Sequence, residues 1–209
     1  MKSAIRRRER ENPEVLQFLS QRYPRGLLRD WSEDNEEKGM FLEGTGSLVI
    51  DHSNRLAYAC ISERTDLDLS RRWADFHRYE LVSFHASDKG VPVYHTNVVM
   101  AIGQSLAVVA LELMSKEDQH LVQEKLEAGG KVVIPISAQQ TNEFCGNILE
   151  LSCPDGRLLA MSSRAFRAFT SEQLSQMRAS GIEKIVHADI STLENIGGGS
   201  CRCMLAELF

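Results

Sequence analysis

The sequence predicts an α/β protein built from repeated units, each with two strands, a helix and a third strand. Three observations support this fold class. Short apolar segments with strand character alternate with segments whose apolar residues follow helical spacing. Turn-forming Asn, Asp and Gly residues separate the first two strands of each unit. Related segments also recur about every 50 residues, counted from Gly46 to Asn97 to Asn147, which is typical of a repeat architecture.

Three whole units can be delimited in this way. In the first, strands are predicted at residues 47–51, 56–62 and 81–85, with a helix through Leu67, Trp73 and Phe76. In the second, a strand starts at Val98 and others cover 106–113 and 131–136, with a helix from Ser115. In the third, a strand starts at Ile148 and others cover 157–162 and 183–190, with a helix over 170–180.

The helix boundaries depend on capping residues. Ser115 precedes Asp118 by three residues, which is an N-terminal signature, and Gly129-Gly130 ends that helix. Ser171 before Glu172 and the later Gly181 delimit the next helix in the same way. The helices therefore fall between the second and third strands of their units.

The two ends of the chain are predicted to be partial units. Residues 5–22 are expected to form a helix, and Leu27 and Leu28 begin a strand, which together supply only the second half of a unit. Residues 199–209 are expected to supply the opening strand of another unit, and 32–38 an acidic surface loop. The prediction is one domain over 1–209 with three whole units and two partial ones.

Composition and charge exclude several classes of function. A net charge of −5 argues against nucleic-acid binding. The longest apolar run, 98–114, is interrupted by polar residues, so no membrane span is predicted. No apolar segment follows the charged start as a secretory signal would require. Five cysteines, an odd number, suggest a reducing, cytoplasmic location, with Cys60 and Cys153 as structural thiols.

Chemically active residues stand where the first strand of each unit begins. These are Glu43 in the first unit, His95 in the second, Cys145 in the third and Cys203 after the run Gly197-Gly-Gly199. If the units surround one axis, a carboxylate, an imidazole and a thiol meet there, as a nucleophilic site requires. Taken singly, Glu43 could be a solvated turn residue, His95 a core histidine and the glycine run a flexible loop.

Together these motifs resemble a known family. Glu43-Gly-Thr-Gly, Tyr94-His-Thr-Asn and the segment 197–204 are similar to motifs of the amidinotransferase, or pentein, superfamily, and most similar to its arginine-deiminase-related, citrulline-utilisation hydrolase branch. The resemblance implies a five-bladed α/β propeller of strand-strand-helix-strand blades with the active site on its axis. It also implies that this chain lacks the N-terminal half-blade.

The resemblance assigns roles to individual residues. Cys203 matches the nucleophile, although Cys201 stays an alternative because residues two apart on a strand share a face. His95 matches the catalytic histidine and Glu43 the carboxylate that orients it. Arg64 resembles the arginine that binds the substrate carboxylate, and its alternative is a surface charge. Asn97 stands where arginine deiminases have an aspartate, so a neutral ureido group, as in citrulline, suits it better than a guanidinium.

The implied activity is hydrolysis of C–N bonds in guanidino or ureido amino acids through a covalent cysteine adduct. Cys203 attacks the central carbon, and His95 protonates the departing amine and then activates water. No metal or organic cofactor is expected, and the partner is a small molecule, with a homo-oligomer possible. The alternatives are an amidinotransferase of the same fold, a non-catalytic propeller, or a fragment without activity of its own.

Overall fold

The computed structural model of the chain describes residues 1–5, 7, 12–24 and 31–207. The first helix, α1, covers Pro13–Arg22, and the Asn12 side chain caps it by accepting from the amides of Glu14 and Val15. Proline at the first helical position suits this start because its missing N–H would have no helical partner. The predicted helix over 5–22 is therefore confirmed from Pro13 onward. The predicted strand at Leu27 and Leu28 lies outside the described residues.

A short helix, α2 (Ser32–Glu36), replaces the acidic surface loop predicted over 32–38. Its Asn35 is buried, donates to the Trp31 carbonyl at 2.5 Å and accepts from Arg72 Nη1 at 3.0 Å. A buried amide needs such partners. The acidic composition of residues 32–38 does not indicate these hydrogen bonds of Asn35. The predicted surface loop was wrong because this part of the chain is held in α2 by them.

The first unit begins with a helical turn and continues as a three-stranded sheet. Its elements are α3 (Gly44–Ser47), β1 (Leu48–Asp51), β2 (Leu56–Cys60), α4 (Leu67–His77) and β3 (Glu80–Phe84). β1 pairs antiparallel with β2, with Leu48 opposite Ala59, and β2 pairs parallel with β3, with Leu56 opposite Glu80. The parallel pairing requires a crossover, which α4 provides. The predicted strand-strand-helix-strand order is confirmed here.

The second unit follows a small hairpin and repeats this topology. The elements are β4 (Ser87–Asp88), β5 (Val91–Pro92), α5 (Thr96–Val99), β6 (Met100–Ile102), β7 (Leu106–Val109), α6 (Lys116–Ala128) and β8 (Val132–Pro135). Ser115 caps α6 by accepting from the Asp118 amide at 3.1 Å, as predicted. The predicted strand start at Val98 was wrong, because Val98 donates to the His95 carbonyl and closes the turn α5.

The third unit has the same sheet and an additional helix. The elements are α7 (Ala138–Asn142), β9 (Leu149–Cys153), β10 (Gly156–Ser162), α8 (Ser163–Ala168), α9 (Ser171–Ala179) and β11 (Lys184–Ala188). β9 is antiparallel and β11 parallel to β10. Thr170 and Gln173 form a capping box at the start of α9. The predicted third unit is confirmed, with α8 as an addition.

The chain continues through α10 (Ser191–Gly197) into a 3₁₀ turn over Cys201–Met204. The opening strand predicted over 199–209 was therefore wrong for the residues described, which extend to 207. The turn is closed by the Cys203 amide, which donates to the Ser200 carbonyl at 3.0 Å, and by the Leu205 amide, which donates to the Arg202 carbonyl at 3.3 Å. The Arg202 side chain donates to the Leu205 carbonyl at 3.0 Å and pairs with Glu207 at 3.1 Å.

The three sheets share one apolar core, and their first strands lie side by side. β1 contacts β6, and β6 contacts β9. A cavity of about 460 Å³ lies along these strands, lined among others by Ile50, Asn97, Leu149 and Arg202. Among the described residues, no helix has both the length and the apolar character needed to cross a membrane. The placement of the first strands brings the turns that precede them into contact.

Candidate active site

Ser47 anchors the carboxylate and the arginine on one side of the site. This fully buried side chain accepts from the Glu43 amide at 2.8 Å and donates to the Arg64 carbonyl at 2.9 Å. A single hydroxyl thereby holds the turn before β1 against the loop after β2. Glu43 and Arg64 then meet directly, with Arg64 Nε 2.9 Å from Glu43 Oε2.

His95 is positioned from the second unit by the residue after it. The buried Thr96 hydroxyl donates to the Ser47 carbonyl at 2.5 Å and accepts from the Cys60 amide at 2.7 Å. Gly46 lies under the imidazole, and a Cβ there would come within 2.8 Å of His95 Nδ1. The close packing of ring on backbone explains why the turn has glycine at this position.

Glu43 is the electrostatic centre of this part of the site. Its Oε2 is 2.8 Å from His95 Nε2 as well as close to Arg64, and its Oε1 accepts from the Lys2 amide at 2.9 Å. Burial by itself would raise the pKa of Glu43. The hydrogen bonds from His95 and the Lys2 amide, with the charge of Arg64, outweigh burial and lower this pKa to about 2.

Cys203 lies on the 3₁₀ turn with its sulfur between two asparagines. Sγ is 3.2 Å from Asn147 Nδ2 and 3.4 Å from Asn97 Nδ2. The side chain is exposed, and a Cβ on Gly199 would lie 3.2 Å from the sulfur. Gly199 therefore packs closely against Cys203, so this end of the glycine run is not only a flexible loop.

Three of the other cysteines, Cys60, Cys145 and Cys201, lie in environments that disfavour a thiolate. Burial raises the pKa of Cys60 and of Cys145 to about 12. Burial also raises the pKa of Cys201, while the neighbouring Arg202 charge opposes this shift. Cys201 is only partly exposed, whereas Cys203 is exposed and next to two amide donors. Cys203 and Cys201 thus differ in exposure and in partners, and the choice of Cys203 as nucleophile stays a prediction.

The five residues predicted for the site fall into two contacting groups. His95 and Arg64 both contact Glu43, and Asn97 contacts Cys203. Within the described part of the chain no hydrogen bond joins His95 to Cys203. The roles assigned to these residues stay predictions.

Tyr94 connects these groups. Its ring lies 4.9 Å from that of His95 and 5.1 Å from the Arg64 guanidinium, and its hydroxyl donates to the Gly198 carbonyl at 3.2 Å. It therefore links the His95 cluster to the glycine run that precedes Cys203. Its place in the motif Tyr94-His-Thr-Asn was noted from the sequence, but this contact was not predicted.

Asn147 is a site residue that sequence reasoning missed. It is buried and contacts the sulfur more closely than Asn97 does. The repeat in the sequence could have indicated this residue, because Asn147 lies one repeat period after Asn97. In the structure Asn147 Nδ2 donates to the Asn97 carbonyl at 3.0 Å.

The arrangement has the parts needed for covalent catalysis. An exposed thiol can attack an electrophilic carbon, and an imidazole held by a carboxylate can transfer protons. Two side-chain amide N–H groups donate to the sulfur. A charged arginine beside the imidazole offers a partner for an anionic group of a ligand once it leaves Glu43.

A family model agrees with this chemistry. It describes eukaryotic N,N-dimethylarginine dimethylhydrolases and matches residues 1–209. A search of curated proteins gives no match.

Solved structures with this fold include arginine-processing enzymes. ArgZ, an arginine dihydrolase from Cyanobacteria, superposes in its apo form with a TM-score of 0.68 at 14% identity, over 93% of this chain and 28% of ArgZ. DDAH from Pseudomonas aeruginosa, as a cysteine-to-serine mutant complexed with citrulline, gives a TM-score of 0.56 at 14% identity, over 95% and 65%. At such identities the likeness shows the α/β pentein-like fold, and the chain spans well under two thirds of ArgZ and just under two thirds of DDAH.

Proposed function

The chain belongs to the eukaryotic N,N-dimethylarginine dimethylhydrolase family, and on that premise we propose that it is a cysteine-dependent hydrolase of C–N bonds in guanidino or ureido amino acids. The observation that carries the proposal is the position of the Cys203 sulfur. It is exposed and lies 3.2 Å from one amide donor and 3.4 Å from another. Tyr94 joins the glycine run before it to the Glu43–His95 pair.

The reaction follows from these groups. The Cys203 thiolate attacks the central carbon, a C–S bond forms, and the C–N bond breaks as His95 gives a proton to the leaving amine. Water then adds to the covalent adduct while His95 accepts its proton, and the C–S bond breaks. Glu43 holds the imidazole in place through the 2.8 Å contact. Catalytic contacts often tighten only with substrate bound, so the reaction requires His95 to approach the sulfur.

Two solved relatives support a covalent mechanism. The N-terminal domain of ArgZ has been crystallised covalently bound to a reaction intermediate, and it superposes on 81% of this chain with a TM-score of 0.61 at 15% identity. The DDAH structure with citrulline is that of a cysteine-to-serine mutant. These properties belong to those proteins, and their transfer to this chain is part of the proposal.

We also propose that the three sheets are part of a five-bladed ring. Three units with the same strand order and adjoining first strands support this arrangement, as does the superposition on longer pentein enzymes. A cytoplasmic location is proposed on the five cysteines, all of which are free thiols.

The assignment of the nucleophile can be tested by substitution. Cys203→Ser is expected to abolish ammonia release from the accepted substrate and the appearance of a covalent adduct in intact-protein mass spectra. Cys201→Ser should retain most of both, because its sulfur is partly buried and is not held by the asparagine pair. Loss in Cys201→Ser alone would reverse the assignment.

Substrate preference depends on the neutral groups around the sulfur. Asn97 and Asn147 are amides, and the carboxylate of Glu43 is already shared by His95 and Arg64. Asn97 Oδ1 is buried without a hydrogen-bond partner in the described part of the chain, so it has a free acceptor for a substrate N–H. A ureido group has both a carbonyl and N–H groups to match an amide, whereas a guanidinium has donors only. We therefore propose citrulline-like substrates over arginine.

This preference is measurable as release of the leaving amine at matched substrate concentrations, which is ammonia from citrulline and arginine and dimethylamine from dimethylarginine. Citrulline is expected to turn over fastest, and Asn97→Asp should shift the preference towards the cationic substrates because a carboxylate can pair with a guanidinium. Faster turnover of arginine that Asn97→Asp leaves unchanged would show that other residues set specificity.

A further inference from the structure

Asn147 holds the turn that carries Cys203 at several points. Its Oδ1 accepts from the backbone amides of Ser200 at 3.2 Å and Cys203 at 3.3 Å. Its own carbonyl accepts from the Arg202 amide at 3.2 Å. The side chain is 2% exposed, so these contacts are made away from solvent. The residue joins the start of β9 to the turn that presents the sulfur.

The orientation of the Asn147 amide is determined by its partners. Two backbone N–H groups can only donate, so Oδ1 must face Ser200 and Cys203. The Asn97 carbonyl can only accept, so Nδ2 must face it, at 3.0 Å. The second hydrogen of Nδ2 is then directed at Cys203 Sγ, 3.2 Å away. The donor to the sulfur is imposed by the rest of the network.

We propose that Asn147 stabilises the thiolate of Cys203 and positions its turn, with Asn97 as the second donor. This inference rests on the proposed role of Cys203 as nucleophile. N–H groups directed at a sulfur favour its charged form, since a thiolate accepts hydrogen bonds more strongly than a thiol. Because Asn147 is neutral, its contribution does not depend on its own protonation at any working pH.

Other groups near the turn must be kept constant in a test. Tyr94, Cys201 and Arg202 interact electrostatically with Cys203 or lie beside it, and Glu194 accepts from the Ser200 hydroxyl at 2.6 Å. Glu43, His95 and Arg64 lie beyond Tyr94. A variant at Asn147 leaves all of these side chains in place.

The decisive variant is Asn147→Asp. It is close to isosteric and keeps an oxygen for the two backbone amides, but it removes the donor and places a negative charge beside the sulfur. The probe is iodoacetamide, with the rate of alkylation followed from pH 6 to pH 10. Trypsin cleaves after Lys184 and Arg202, so Cys201 and Cys203 fall in separate peptides (185–202 and 203–209), and mass spectrometry reads Cys203 alone. Asn195→Asp, at an exposed position of α10, is the control matched in charge.

Asn147→Asp is expected to slow alkylation of Cys203 at pH 8 roughly tenfold or more and to move its pH profile to higher pH. Asn195→Asp should match the native chain. A native rate and profile in a folded Asn147→Asp would overturn the proposal. If circular dichroism shows that this variant does not fold, Asn97→Leu decides, because it removes only the second donor. Its profile must also move to higher pH, and an unchanged profile overturns the proposal.

Alkylation requires no turnover, so the two proposals fail separately. Slowed alkylation in Asn147→Asp, in a chain that releases no ammonia from any substrate tested, would retain the role of Asn147 at the sulfur and contradict the hydrolase. Normal ammonia release together with unaltered alkylation would retain the hydrolase and contradict the role of Asn147.

Discussion

At the scale of the residue, the site depends on a few side chains that each satisfy several partners. Ser47 connects Glu43 to Arg64, and Thr96 connects the turn of His95 to the first unit. Both hydroxyls belong to buried residues and have hydrogen-bond partners, so they can define geometry without the cost of an unpaired polar group. The reactive residues are thereby held by neighbours that themselves take no part in the reaction.

Glu43 predicts a pH dependence of stability at this scale. Its pKa is about 2 in the folded chain against an ordinary 4.5. The contribution of ionised Glu43 to the stability of the folded chain is therefore complete above about pH 4.5 and is lost as the pH falls towards 2. Glu43→Gln should lower the free energy of unfolding at pH 7 by roughly 1–3 kcal/mol. The free energy of unfolding of this variant should also fall less steeply between about pH 4.5 and pH 2. Urea unfolding at several pH values measures this, and an equally steep decline in Glu43→Gln would contradict it.

At the scale of the element, the helices and strands were predictable where local signals set their boundaries. Ser115 caps α6 as expected, and α4 and β3 lie where the apolar spacing placed them. Val98 was misassigned because an apolar, β-branched residue favours a strand on propensity, whereas the turn before β6 needs its amide for the His95 carbonyl. At Val98 the backbone hydrogen bond that closes the turn outweighs the strand propensity of the side chain.

A buried ion pair joins two units and predicts a large cost if it is broken. Lys131 Nζ, just before β8, lies 3.0 Å from Asp51 Oδ2 at the end of β1, and both side chains are almost fully buried. Lys131→Met should reduce the free energy of unfolding by roughly 3–5 kcal/mol, because Asp51 is left buried without its counter-charge. Lys125→Met, which breaks an exposed pair with Glu80, is the control and should change little. Equal losses of unfolding free energy in Lys131→Met and Lys125→Met, measured by chemical denaturation, would contradict this account of the buried pair.

At the scale of the whole molecule, the described units form a single apolar core. Tyr58 in the first unit, Ile134 in the second and Met177 in the third belong to one buried cluster. Contacts between neighbouring units, α6 on β3 and α9 on β8, continue this core from one unit to the next. The units are therefore interdependent, although each repeats the same topology.

This shared core predicts one cooperative unfolding transition. Near-UV and far-UV circular dichroism should give coincident thermal curves. Ile134→Ala should shift both curves together to lower temperature, at a cost of roughly 2–5 kcal/mol for a fully buried side chain. Val132→Ala, on the same strand but 46% exposed, should shift them far less. Two separated transitions would instead show that the units unfold independently.

The sequence by itself determined the repeat and the residues that mark it. Caps, turns and apolar periodicity act within a few residues, so three strand-strand-helix-strand units could be read from them, with Glu43 and His95 at matching positions. Their contact at 2.8 Å was expected from that equivalence. These features could be predicted because caps, turns and apolar periodicity depend only on residues that are close together in the sequence.

Only the tertiary structure decided which distant groups share partners. Arg64 pairs with Glu43, Asn147 reaches Cys203 across 56 residues, and Asn35 becomes buried against Arg72. After Gly199 the chain forms a turn in which the Arg202 amide donates to the carbonyl of the distant Asn147. Hydrogen bonds between segments far apart in the chain leave no periodic trace in the sequence, since each partner is chosen by the packing of the whole fold.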